Sequence, residues 1–191
     1  EEIFPGFRVS TCSYMVHGLQ DKIVHDLNLV RNGYHVQQYD PVGFRPYPDG
    51  RYLLRWRDLE RSCAEIARFS HPDPDAHGRV TDFGQRAGNL LNPYFLTDPP
   101  TIAELRHKVQ GTESEALLER LINGTLTDLL DEHFETDAIR VSHLQTHDMK
   151  SPDEPGVLLG IASILSPDLM VDPRNQGLVT GGMGGVTMAM S

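Results

Sequence analysis

The stretch ESEALLERLINGTLTDLLDEHF, Glu113 to Phe134, limits the fold more than any other. Leu117, Leu121, Leu126, Leu129, Leu130 and Phe134 recur at three- and four-residue spacing, which sets them on or near one helical face that must be buried. Gly124 predicts a kink or a division into two helices. The carboxylates of DLLDEHFETD fit the solvated side of such helices better than a catalytic pair.

Other stretches follow from the same rules. Val16, Leu19, Ile23, Leu27 and Val30 predict a helix from Tyr14 to Arg31, with Gly33 as its C-cap. HVQQYD alternates as a strand, and FRPYPDGRYLLRW predicts a hairpin turning at Pro48 to Gly50, with Pro46 at an edge or bulge. Asp58 is a plausible N-cap for a helix through Leu59, Cys63, Ile66 and Phe69, which SHPDPDAHG ends. Val80 to Leu91 is helix-like but carries Gly84 and Gly88, and Pro93, Pro99 and Pro100 bound the loop that follows. Thr101 and Glu104 form a capping box, and GVLLGIASIL is too short to span a bilayer and should pack inside. The expected class is α+β, helix-rich with one small antiparallel sheet.

Charge narrows the function classes. With 27 acidic against 17 basic residues and a net charge of -10, the chain is a poor candidate for binding nucleic acid or an anionic membrane. Cys12 and Cys63 are far apart and fit no metal or redox motif, so they are expected to stay reduced in a cytoplasmic setting. The opening EEIFPGF lacks the basic and apolar regions of a signal peptide.

Few residues suggest chemistry directly. His143 and His147 stand four apart beside Asp148, with His133 upstream, a spacing that would place two imidazoles on one helix face. The pair lacks the Glu of HExxH and an obvious third ligand, so no metal is expected and His147 and Asp148 are read as polar pocket-wall residues. No GxSxG elbow occurs, and Ser10, Cys12 and Ser13 have no evident base. Phe4, Phe7 and Tyr14 cluster around a rigid FPGF and suit either an apolar pocket or core packing. TGGMGG, with Gly181, Gly182, Met183, Gly184 and Gly185, matches neither GxGxxG nor a P-loop; its spacing points to a close backbone approach to a ligand or another helix.

FPGFRVSTCSYMV and GLVTGGMGGVTMAM together resemble the phytoene desaturase-like branch of the FAD-dependent amine oxidase superfamily, in particular its pyridine nucleotide-disulphide oxidoreductase domain proteins. The resemblance runs in order along nearly the whole chain and is strongest at the two ends. In that family a Gly-rich dinucleotide-binding segment precedes a stretch like the first, a mixed substrate domain follows, and GGMG opens a helix leading back into the FAD domain. The resemblance implies that residues 1–191 are a substrate-binding domain with both ends at crossings into an FAD-binding domain. It implies flavin contacts at Gly181 to Gly185 and a substrate pocket with Phe4, Phe7, Tyr14, His147 and Asp148.

This stretch of sequence has no GxGxxG and no ribose-binding acid after one, so it lacks a complete dinucleotide-binding domain and should not hold FAD alone. Three readings stay open: the central piece of a flavoenzyme, a subunit whose companion chain carries the FAD-binding segments, or a non-catalytic remnant that binds a hydrophobic ligand or a protein. The first two share hydride transfer from a largely apolar small molecule to FAD.

Overall fold

The computed structural model describes residues 2–144, 151–165 and 176–191. The chain divides into two compact units: Glu1–Tyr39 with Met170–Ser191, and Asp40–Leu169. Both are described through the α+β class that the sequence predicts, with antiparallel pairing split into three two-stranded ladders.

The larger unit, 40–169, opens with a hairpin of β4 (Gly43–Pro46) and β5 (Tyr52–Arg55); β1 to β3 belong to the other unit. Arg45 pairs with Leu53 and Gly43 with Arg55, so these four share one face of the ladder. Gly50, at φ +84°, makes the turn where a Cβ would be strained. Asp58 then caps α2 (Leu59–Ala67) by accepting the Arg61 N–H at 2.7 Å.

The next helix starts earlier than the sequence suggested. α3 runs Asp73–Leu91, absorbing DPDAHG, which reads as a terminator. Pro74 stands in the first turn, where its missing N–H costs nothing and its fixed φ suits a helix. Ala76, His77, Val80, Phe83, Gly84 and Ala87 form the buried stripe of α3.

α4 (Ile102–Val109) has the expected capping box: Thr101 Oγ1 accepts the Glu104 N–H, and Glu104 Oε2 accepts the Thr101 N–H at 2.7 Å. The leucine-rich run is two helices, α5 (Ser114–Asn123) and α6 (Leu126–His133), broken at Gly124. A Cβ there would stand 2.6 Å from the Arg120 carbonyl oxygen and 3.1 Å from Leu158. α7 (Asp137–His143) and α8 (Val157–Leu165) complete the unit, and Val157, Leu158 and Ala162 join the leucines, Phe134 and α3 in its main core. Burial of this stripe, at about 25 cal/mol per Å² of apolar surface, is the main force holding these short helices together.

The smaller unit joins the two ends of the chain. β1 (Glu2–Phe4) pairs with β2 (Phe7–Arg8), and β3 (Val36–Gln37) pairs antiparallel with β6 (Leu178–Val179). Val16 and Gly177 exchange both backbone hydrogen bonds at 2.9 Å. The helix expected over 14–31 is confined to α1 (Asp21–Asp26): Val16 is drawn into this extended pairing, and Asn28 at φ +52° interrupts the helical path. Val16, Val24, Leu29, Tyr34, Val179 and Ala189 form the unit's core, the last from α9 (Gly184–Met190). No helix among the described residues is long and apolar enough to cross a membrane.

Candidate functional site

The hairpin face carrying Gly43, Arg45, Leu53 and Arg55 meets α2, α3 and α7 around a cavity of about 180 Å³. Ser62 and Ile66 from α2, His77 from α3, and Ser142 and His143 from α7 complete its polar and apolar wall. Gly43 allows Arg55 to lie across the hairpin: a Cβ at 43 would stand 3.2 Å from Arg55 Cβ and 3.5 Å from Nε. A second hollow, beside α4 and α5, is lined by Arg106 and Glu119, which neutralise each other through a two-pronged ion pair.

His77 and His143 are in direct contact, His77 Nδ1 lying 3.0 Å from His143 Nε2. His143 Nδ1 lies 2.9 Å from the Ile139 carbonyl oxygen, which can only accept, so that nitrogen carries the proton. In the neutral ring Nε2 is then an acceptor, and His77 must donate to it from Nδ1. The remaining His77 nitrogen, Nε2, is left as an acceptor on a cavity-lining ring, with no donor among the described residues. Phe134 backs the pair, its ring centroid 4.6 Å from that of His143.

The surroundings keep both rings neutral. Burial first, then the neighbouring His143 and Arg55, lower the His77 pKa to about 4. Burial also lowers His143 to about 4, with Arg55 and Arg45 acting the same way; the bond to Ile139 and the Asp73 carboxylate oppose it. Asp73 is fully buried; its Oδ1 accepts the Glu135 N–H at 2.9 Å, and Oδ2 has no partner among the described residues. The cavity serines are engaged locally: Ser62 bonds both the N–H and the carbonyl of Trp56, and Ser142 donates to Ile139.

Of the residues singled out from the sequence, His143 lines this cavity. Phe4, Phe7 and Tyr14 belong to the smaller unit and are 68%, 71% and 72% exposed. His147 and Asp148 lie outside the described residues. Gly181 and Gly182 take φ +81° and +84°, and the Met183 N–H donates to Ser10 Oγ at 3.0 Å. Packing explains part of this glycine set. A Cβ on Gly182 would stand 3.0 Å from Ser10 Oγ, and one on Gly185 would stand 2.9 Å from the Thr180 carbonyl oxygen. A Cβ on Gly181 or Gly184 would meet nothing within 4 Å, and Gly184 has no positive φ either. Among the described residues no three His, Cys, Asp or Glu side chains gather as a metal site requires.

Sequence reasoning found His143 but weighed it only beside His147 and Asp148, which lie outside the described residues, and His133. Its structural partner, His77, was hidden in DPDAHG. The available signal was Pro74, which could have been taken as a first-turn proline; a helix begun at Asp73 puts His77 on the stripe with Val80 and Phe83.

The chain is similar to pyridine nucleotide-disulfide oxidoreductase domain-containing protein 2. The rat protein of that name is 32% identical over 114 residues, 56% of this chain and 20% of the rat protein. The mouse protein is 25% identical over 221 aligned positions that take in 100% of this chain and 38% of the mouse protein. The chain therefore spans well under half the length of either relative. No family model and no solved structure matches it.

Proposed function

We propose that this chain is the substrate-domain portion of an FAD-dependent oxidoreductase of the phytoene desaturase-like type, acting on a largely apolar small molecule. The observation that carries the reading is the similarity to the mouse oxidoreductase-domain protein along 100% of the chain. Two structural features support it. The smaller unit leaves Ile3, Phe4, Phe7, Tyr14, Val30 and Met188 each more than half exposed, apolar side chains suited to covering by the FAD-binding segments or a companion chain. Gly184, whose side-chain position is open and whose backbone any residue could adopt, fits a requirement set by a neighbour outside this chain.

The residues present suit a flavin's approach at Gly181 and Gly184, where backbone is bare and Cβ space is empty. Bound FAD would supply a hydride acceptor for a C–H bond of the substrate. The chain's own contribution is shape and exclusion of water: Ser10 fixes the Met183 amide and hence the turn, and Phe4, Phe7 and Tyr14 offer apolar walls. His147 and Asp148 are the candidate polar contacts.

The test is flavin retention by the full-length polypeptide, or by the assembled chains, that contain this sequence. The purified material should show flavin absorbance, and Gly184→Val should reduce flavin content while leaving the melting temperature unchanged, since that side chain meets nothing here. A colourless protein that ignores added FAD would sink the reading in favour of a ligand-binding remnant, and full flavin content in the variant would overturn the flavin's approach at Gly184.

A further inference from the structure

We propose that the cavity between the β4–β5 hairpin and helices α2, α3 and α7 binds a small neutral alcohol, its hydroxyl donating to His77 Nε2 and its hydrocarbon body lying against Leu53, Leu54 and Ile66. This does not depend on flavin. Hydrogen-bond direction is the first argument. His143 Nδ1 lies 2.9 Å from the Ile139 carbonyl oxygen and must donate to it, so His143 Nε2 accepts from His77 Nδ1 at 3.0 Å, and the series ends on a lone pair at His77 Nε2. The serine protons of the wall are committed elsewhere: Ser62 donates to the Trp56 carbonyl and Ser142 to that of Ile139. The ligand that suits this lone pair is one that brings a donor.

Charge decides which donor. Arg45 and Arg55 line the cavity, and whatever their guanidiniums bond to, their positive charge opposes an ammonium ligand there. Burial, His143 and Arg55 hold the His77 pKa at about 4, so Nε2 remains an acceptor at neutral pH. A carboxylate or a ketone brings lone pairs alone and would set acceptor against acceptor at that nitrogen. A neutral O–H supplies the proton without the charge.

Size and polarity set the body. A cavity of about 150 Å³ accepts benzene, so about 180 Å³ admits a cyclohexane ring that bears one hydroxyl. A water would satisfy Nε2 but leave the lining side chains of Leu53, Leu54 and Ile66 against solvent, whereas a hydrocarbon ring covers them. One polar anchor in an otherwise apolar contact is the usual make-up of a small-molecule site.

The test uses the full polypeptide that contains this sequence and three probes: cyclohexanol, cyclohexanone, which keeps the oxygen and loses the donor, and cyclohexanecarboxylate, which adds a charge. Affinity is read by titration calorimetry, and the state of His77 Nε2 by its nitrogen-15 NMR signal. Cyclohexanol should bind about tenfold tighter than either analogue, the gain expected when a desolvated acceptor is paired and not left unmade. The Nε2 signal should shift with the alcohol and hold its place with the ketone. His77→Leu should bring alcohol and ketone to equal affinity; should that variant fail to fold, the wild-type signal decides. No binding of cyclohexanol, ketone or carboxylate binding as tightly, an Nε2 signal unmoved by bound alcohol, or a folded His77→Leu variant that keeps the preference would overturn the proposal. A failure of the flavin test leaves every one of these readouts intact.

Discussion

Lowering the pH from 7 to 5 should strip stability from the larger unit through His77 and His143. Both folded values, about 4, lie below the ordinary value of 6.5. As pH falls, the unfolded chain therefore takes up protons first, and stability that is complete above pH 6.5 is lost progressively towards pH 4. At pH 5 an unfolded histidine is almost fully protonated and these two are not, which costs about 2 kcal/mol each relative to pH 7. A loss of about 4 kcal/mol is a large part of a domain's usual 5–15 kcal/mol. Carboxylates held low by their partners, such as Glu104, Glu119 and Glu132, begin to lose stability only near their ordinary 4.5, so the upper part of the window belongs to histidines. His133, also lowered by burial, adds in the same direction.

Trp56, the chain's single tryptophan, sits in this unit under Arg61 and reports its unfolding by fluorescence in urea. The urea midpoint should fall steadily between pH 7 and 5. In a His77→Leu, His143→Leu double variant the slope should flatten, because Ile139 keeps the Ser142 hydroxyl as a partner and the neutral rings are replaced by neutral side chains. A wild-type midpoint that does not move from pH 7 to 5, or His77 and His143 NMR signals that titrate near 6.5, would refute the reasoning.

Gly177→Ala should destabilise the smaller unit by about 2 kcal/mol, as overpacking commonly does. Its Cβ would lie 2.4 Å from the Gln37 carbonyl oxygen and 3.0 Å from Val36, and amide exchange at Val36 and Val179 should quicken while that of Leu121 is unchanged. Thr101→Ala should cost about 1 kcal/mol by removing half of the α4 capping box, seen as a lower urea midpoint by Trp56 fluorescence.

What was legible in the sequence was whatever short range decides. The Thr101 to Glu104 box, the PDG turn and the split at Gly124 depend on residues within a few positions of one another. The leucine stripe was equally plain, because helical periodicity records burial directly. The helix over 14–31 failed for the opposite reason: Val16 answers to Gly177, and no local pattern announces a partner so remote. The cavity was illegible on the same ground, since His77 and His143 are 66 positions apart and meet only once α3 and α7 have packed. The exposure of Phe4, Phe7 and Tyr14 could not be read either; aromatic residues suited to a core and to an interface look alike in sequence.

The smaller unit also carries an entropic burden. His35 and Thr180, bonded at 3.0 Å, are 145 positions apart, and closing a flexible chain of that length costs about 4 kcal/mol. A single ladder hydrogen bond returns only about 1 kcal/mol. No contact between the two ends can therefore persist alone: the Val36 to Val179 ladder, the Val16 to Gly177 bridge and the burial of Leu29 and Ala189 must arrive together. The unit is all-or-none by arithmetic, and a crowded methyl at Gly177 threatens the closure as a whole.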